Sequence, residues 1–155
     1  MKQLVRNVKI LGTGSYVPEK VYTNEYLETI VPTNSKWVYE NVGIKERHIA
    51  ADDETTSDLA AAAALRAIEN SSLKPEDIDL IIVATATSDR KAPSTAAIVQ
   101  HKIGARNAAA FDLTAVCSGF LFAASVASQY IASGVYNHVL VIGADTFSKI
   151  TDWTR

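Results

Sequence analysis

The residue best suited to chemistry in this 155-residue sequence is its only cysteine, Cys117, in the stretch Phe111-Asp112-Leu113-Thr114-Ala115-Val116-Cys117-Ser118-Gly119-Phe120. The pattern predicts a strand that gives way to an apolar helix at the cysteine. The first turn of a helix leaves backbone N–H groups unpaired and carries the positive end of the helix dipole. A thiol held there is expected to ionise more readily and to act as a nucleophile. Gly119 has no side chain to block a ligand, so a carbonyl could reach the sulfur and the helix-end amides. A second reading stands beside this one, because a lone cysteine between Val116 and Phe120 also fits a small buried hydrophobe. Local chemistry leaves both open.

Other chemistry-bearing residues point to structure. His48 lies beside two charges in Glu46-Arg47-His48, His101 near the end of a predicted helix, and His138 just before a predicted strand, so each reads as solvated or hydrogen-bonded. Gly12-Thr13-Gly14 lacks the third glycine of a dinucleotide fingerprint and reads as a turn. No Cys/His cluster has zinc spacing, so no metal site is expected.

The elements around Cys117 follow from periodicity and punctuation. Val8–Leu11 reads as a strand, Asn24 as the cap of a short helix through Ile30, and Ser35 as the cap of another running towards Gly43. Thr56 or Ser57 begins an alanine-rich helix, and Leu80-Ile81-Ile82-Val83-Ala84 has the unbroken apolar run of a strand covered on both faces. Pro93 and Ser94 open a helix ending near Gly104, and Ala108–Leu113 is the strand before the cysteine. The cysteine helix spans about Ser118–Ser133 and Gly134 stops it, before a buried strand over Val139–Ala144. This alternation predicts a layered α/β domain with a parallel sheet.

Length favours one domain. A net charge of −2 with scattered Lys and Arg argues against a nucleic-acid partner. A single cysteine makes no internal disulfide, and the first residues lack the apolar run of a secretory signal, so a reducing cytoplasmic setting is expected. The uncharged stretch from Leu113 to Ala144 is broken by Gly119, Gln129, Gly134 and Asn137-His138 and reads as helix, turn and strand, with no membrane span. Its helix carries Phe120, Leu121, Phe122, Val126, Tyr130 and Ile131 around its circumference, which predicts cover on every side by a second half of the molecule or a partner copy.

The residues Asp112 to Phe120 resemble the nucleophile motif of the β-ketoacyl-acyl carrier protein synthase III family, the initiating condensing enzymes of bacterial fatty acid synthesis. Gly43-Ile44-Lys45-Glu46-Arg47, Ala92-Pro93-Ser94-Thr95-Ala96 and Val141-Ile142-Gly143-Ala144-Asp145 resemble further family segments in family order. The resemblance implies an α/β thiolase-like fold, of which this chain is the amino-terminal half, with a layered mixed sheet and a buried nucleophile helix. It also implies a homodimer.

In that family the cysteine, here Cys117, takes an acyl group from acyl-coenzyme A, and the thioester is attacked by the carbanion that malonyl-acyl carrier protein yields on losing carbon dioxide. Acyl-coenzyme A is then a substrate, and no separate cofactor is implied. The resemblance places Trp37 against the coenzyme A adenine, Thr33 beside it, and Arg155 near a nucleotide-contacting arginine; where relatives have an arginine four residues after the tryptophan, this chain has Asn41. Ala92 stands where many relatives have a phenylalanine lining the partner's acyl pocket, which suggests room for a primer larger than acetyl. The family's catalytic histidine and asparagine come from the other half, so the isolated chain is expected to be inactive. The alternatives are a thiolase-fold acyltransferase of secondary metabolism and a non-catalytic partner subunit.

Overall fold

The computed structural model describes residues 6–154, in the order β1 (Lys20–Thr23), α1 (Asn24–Glu28), α2 (Ser35–Val42), β2 (Glu46–Ile49), α3 (Thr56–Glu69), β3 (Leu80–Ala84), α4 (Thr95–Ile103), β4 (Ala109–Leu113), α5 (Gly119–Ala132) and β5 (Val139–Gly143). The described residues form two compact units. Residues 6–16 and 55–145 make the larger unit, and residues 17–54 and 146–154 make the smaller.

In the larger unit β3 is the middle strand of a parallel sheet with the order β4-β3-β5. All five of its residues are buried, the most exposed being Ala84 at 4%. Side chains alternate across a strand, so Ile81 and Val83 enter one core with Ala60, Ala64, Val99 and Ile103 of α3 and α4. Leu80, Ile82 and Ala84 enter a second core with Ala123 and Ala127 of α5. Burying each Leu, Ile or Val here contributes about 1.5–3 kcal/mol. From β3 the chain crosses to β4 in one direction and then returns past β3 to β5; right-handed crossovers in opposite directions place α4 and α5 on opposite faces, as observed.

Helix α3 starts one residue beyond its cap, Thr55, and Asp58 closes the first turn by accepting from the Thr55 N–H at 2.9 Å and its hydroxyl at 2.6 Å. Lys102 of α4 joins the two helices, donating to Asp58 at 2.5 Å and to the Ser57 hydroxyl at 2.8 Å. Ser94 caps α4, and Gly104 and Gly134, both at positive φ, follow α4 and α5 as the sequence predicts.

The smaller unit contains the antiparallel pair β1–β2 and the helices α1 and α2. Both predicted caps move by one residue. Thr23, not Asn24, caps α1 through its hydroxyl, while the Asn24 side chain is buried, donating to the Ile44 carbonyl at 2.8 Å and accepting from Arg47. Asn34, not Ser35, caps α2 by accepting from the Trp37 N–H at 2.9 Å. An Asx or hydroxyl side chain caps a helix only if its own backbone is extended, and Thr23 and Asn34 satisfy that.

One other expectation changes. Val8–Leu11 forms no strand: a strand needs a ladder partner, no described strand pairs with it, and Ile10 is 83% exposed. Among the described residues α5 is covered on its sheet side, where Gly119, Ala123 and Ala127 are buried, and Phe120, Leu121 and Phe122 lie on the sides for which the sequence predicts further cover.

Burial pushes the Asp58 carboxyl up, but hydrogen bonds from Lys102 and Thr55 outweigh it and hold it at about 2, below its ordinary 3.8. A carboxylate depressed by folding adds stability that is present above about pH 4 and lost as pH falls towards 2. Asp58→Asn is expected to lower stability at neutral pH by about 1 kcal/mol, a cap-sized loss with only a small share from the partly exposed ion pair. Urea unfolding should also lose part of its acid sensitivity between about pH 4 and 2; an unchanged acid limb would refute the assignment. At the start of α5, a Cβ on Gly119 would stand 3.0 Å from the Ala84 Cβ of β3. Gly119→Ala should therefore lower the urea midpoint, overpacking of about 1–3 kcal/mol exceeding a propensity gain of at most about 1 kcal/mol. A midpoint at or above the parent value would show that α5 shifts freely.

Candidate active site

Cys117 lies where the parallel strands end. In open α/β sheets, reactive loops gather at the carboxyl ends of the strands, and the chain crosses β3 between β4 and β5 at this end. A single 3₁₀ turn, Val116–Ser118, joins the β4 side to α5, closed by the Ser118 N–H on the Ala115 carbonyl at 3.1 Å and the Gly119 N–H on the Val116 carbonyl. The Cys117 N–H takes no part in these two bonds. Cys117 is exposed and free.

Val116 has φ +47, a left-handed conformation that a β-branched residue adopts only when its surroundings force it. Such a turn between strand and helix places the following side chain at a helix mouth. Cys117 is thus an exposed free thiol directly after a left-handed residue at the mouth of α5.

Two carboxylates build the surroundings. Asp112 in β4 caps α4, its two oxygens accepting from the Thr95 N–H at 2.8 Å and the Ala96 N–H at 2.7 Å. Asp145, just after β5, accepts from the backbone and hydroxyls of the loop that follows β3, including the Ala86 N–H at 2.8 Å. Thr114 donates to the Thr85 carbonyl at 3.2 Å, joining the β4 exit to the β3 exit. Their functional meaning is invisible in sequence, because each role depends on which strand ends are neighbours.

The other candidates divide between the units. Gly119 follows the same turn; it is buried and the place of its missing side chain faces Ala84, so its smallness lets α5 close on β3. Ala92 is exposed in the loop between β3 and α4, before Pro93. In the smaller unit, Trp37 sits in the first turn of α2 and is 59% exposed as a residue, and Thr33 precedes the cap by one residue. Asn41, at the position of the absent arginine, donates its amide to the Trp37 carbonyl at 2.9 Å. Arg155 lies outside the described residues. Trp153, which sequence reasoning left unassigned, stacks edge-on against Tyr22 with 5.5 Å between ring centroids and donates its indole N–H to Ser148 at 2.9 Å.

The histidines hold structural bonds or stand on the surface. A His48 ring nitrogen lies 2.6 Å from the Pro18 carbonyl and a His138 ring nitrogen 3.0 Å from the Asp77 carbonyl, while His101 is exposed in the last turn of α4. Among the described residues, no cluster of three or more His, Cys, Asp or Glu could hold a metal ion, and no helix is long and apolar enough to cross a membrane.

The sequence profile of the family described as 3-oxoacyl-[acyl-carrier-protein (ACP)] synthase III matches residues 111–155, which contain the cysteine turn and α5. The β-ketoacyl-[acyl-carrier-protein] synthase III of Clostridium acetobutylicum is 58% identical over 149 residues, 96% of this chain and 46% of the relative. The crystal structure of 3-oxoacyl-[acyl-carrier-protein] synthase III from Aquifex aeolicus superposes with a TM-score of 0.91 at 46% identity, over 95% of this chain and 47% of that one. A priming β-ketosynthase from the R1128 polyketide biosynthetic pathway superposes with a TM-score of 0.90 at 35% identity, over 95% and 44%. The chain thus spans about half the length of the relatives it matches. Over that half-length, with its α/β thiolase-type fold and its cysteine at the mouth of α5, the chain belongs to the β-ketoacyl-acyl carrier protein synthase III family.

Proposed function

We propose that the full-length protein transfers an acyl group from acyl-coenzyme A to Cys117 and condenses it with malonyl-acyl carrier protein, initiating fatty acid synthesis. The observation that carries this is the exposed Cys117 behind the left-handed Val116 at the mouth of α5. The thiol sulfur bonds to the acyl carbon, and coenzyme A leaves as its thiol. Malonyl-acyl carrier protein then loses carbon dioxide, and the carbanion so formed attacks the Cys117 thioester. A carbon–carbon bond forms, the carbon–sulfur bond breaks, and Cys117 returns as a thiol with β-ketoacyl-acyl carrier protein as product. The tetrahedral oxyanion needs N–H donors, and the Cys117 N–H, which the two bonds closing its turn leave unused, is one.

The remaining assignments extend this reading. Trp37 stacks on the adenine of coenzyme A with Thr33 beside the nucleotide, and Arg155 is a third nucleotide contact. Ala92 leaves space in the acyl pocket of a partner copy, so the protein works as a homodimer on primers larger than acetyl. A reducing cytoplasmic setting suits a reactive free thiol. The histidine and asparagine of the condensation step lie outside these residues. A second reading is a priming enzyme of secondary metabolism with the same first half-reaction, favoured by the likeness to the R1128 enzyme.

Incubating the full-length protein with a panel of acyl-coenzyme A primers should add one acyl mass to the peptide containing Cys117, for longer or branched primers as well as acetyl. Cys117→Ala should abolish the adduct. Acylation of that variant would overturn the nucleophile, and strict acetyl preference would overturn the role of Ala92. Trp37→Ala should raise KM for acyl-coenzyme A by about tenfold with kcat little changed, since base–aromatic stacking is worth about 1–3 kcal/mol. An unchanged KM would remove Trp37 from the coenzyme A site.

A further inference from the structure

Thr85, Thr114 and Asp145 follow the ends of β3, β4 and β5 and meet at the carboxyl edge of the sheet. One oxygen, Asp145 Oδ1, accepts four hydrogen bonds: from the Thr85 hydroxyl at 3.1 Å, the Ala86 N–H at 2.8 Å, the Thr87 N–H at 3.1 Å and the Thr87 hydroxyl at 3.0 Å. This convergence immobilises the loop leaving β3. The loop is joined in turn to the β4 exit at two points, the Thr85 N–H donating to the Leu113 carbonyl at 3.1 Å and the Thr114 hydroxyl donating to the Thr85 carbonyl at 3.2 Å. Thr114 stands three residues before Cys117, and between them the chain must pass through the left-handed Val116. A strained conformation persists only where neighbouring contacts over-determine it, and the Thr114 hydroxyl is the tether nearest to it on the strand side. Asp145 is exposed and forms no part of either core.

We propose that Asp145 is a positioning residue for Cys117, acting through Thr85 and Thr114 to hold the nucleophile turn at the mouth of α5. This rests on Cys117 being the acyl-accepting nucleophile. Asp145 touches no reacting atom. Its carboxylate fixes the β3 loop, the loop carbonyl fixes Thr114, and Thr114 sets where the turn begins. Without it the sulfur swings away from the helix-end amides, and displacement of a reacting atom by about 1 Å costs up to about a hundredfold in rate.

The test compares full-length wild type, Asp145→Ala, Asp145→Asn, Thr114→Val, Thr114→Ser and the Asp145→Ala/Thr114→Val double variant, in two measurements: the rate of Cys117 acylation by acyl-coenzyme A, and the rate of Cys117 alkylation by iodoacetamide. Asp145→Ala and Thr114→Val should each slow acylation by about 10- to 100-fold at saturating acyl-coenzyme A, with KM within about twofold, and should slow alkylation too. Thr114→Ser keeps the hydroxyl and should restore the wild-type rate. The double variant should be no slower than the worse single variant, because both changes cut one chain of contacts. Asp145→Asn keeps an acceptor oxygen and should fall between. Wild-type rates in Asp145→Ala or in Thr114→Val would overturn the proposal, as would equal losses in Thr114→Ser and Thr114→Val, or losses in the single variants that multiply in the double. If Asp145→Ala does not fold, the Thr114 pair and Asp145→Asn decide. If wild type forms no acyl adduct, the nucleophile reading fails by itself, and alkylation rates still show whether Asp145 sets the presentation of Cys117; unchanged alkylation would then overturn the positioning role as well.

Discussion

Everything in the larger unit depends on the burial of β3 from both sides at once. A strand covered on two faces and paired on two edges has no freedom to slip, because a one-residue shift would exchange Ile81 and Val83 with Leu80 and Ile82 between cores of different shape. With its register fixed against both β4 and β5, the three strands end level, Ala84 opposite Leu113 and Gly143. That level edge is what allows hydrogen bonds to run between the residues following each strand. It also brings the start of α5 close to Ala84, so that a Cβ at position 119 would stand 3.0 Å from the Ala84 Cβ. Core and candidate site are therefore two consequences of one buried strand.

The carboxylates near the cysteine illustrate how chemistry-bearing residues serve geometry. Asp112 spends both oxygens on the first N–H groups of α4, and one oxygen of Asp145 takes four donors from the β3 loop. Carboxylates bonded in this way orient their surroundings. Around a candidate nucleophile, such carboxylates act by fixing the backbone that carries it. Asp79 plays the corresponding part at the opposite edge, accepting from the Asn137 and His138 N–H groups at 2.8 and 3.0 Å before β5 begins.

Helix α5 joins this site to the question of length. It packs on the sheet through Gly119, Ala123 and Ala127, while Phe120, Leu121 and Phe122, directly beyond the cysteine, are exposed. The chain spans about half the length of its relatives. This apolar flank is the side on which the sequence predicts cover by a second half of the molecule or a partner copy.

Much of this was legible in the residues. The unbroken run Leu80–Ala84 announced a doubly covered strand, the alanines of α3 a close helix contact, and Gly104 and Gly134 the helix ends, because each signal is local: burial pattern, side-chain size, backbone freedom. Cys117 as a candidate nucleophile was readable for the same reason, from a thiol at a strand-to-helix junction. Tertiary structure alone decided what depends on neighbours distant in sequence. It showed that Asn24 is a buried bridge to Ile44 and Arg47 and that Thr23 caps α1, that Val8–Leu11 has no strand to pair with, and that Gly119 is small because Ala84 is there. It also placed the Cys117 thiol on the surface directly after Val116 at φ +47, beside strand ends whose hydrogen bonds join residues far apart in sequence, an arrangement no local pattern of residues contains.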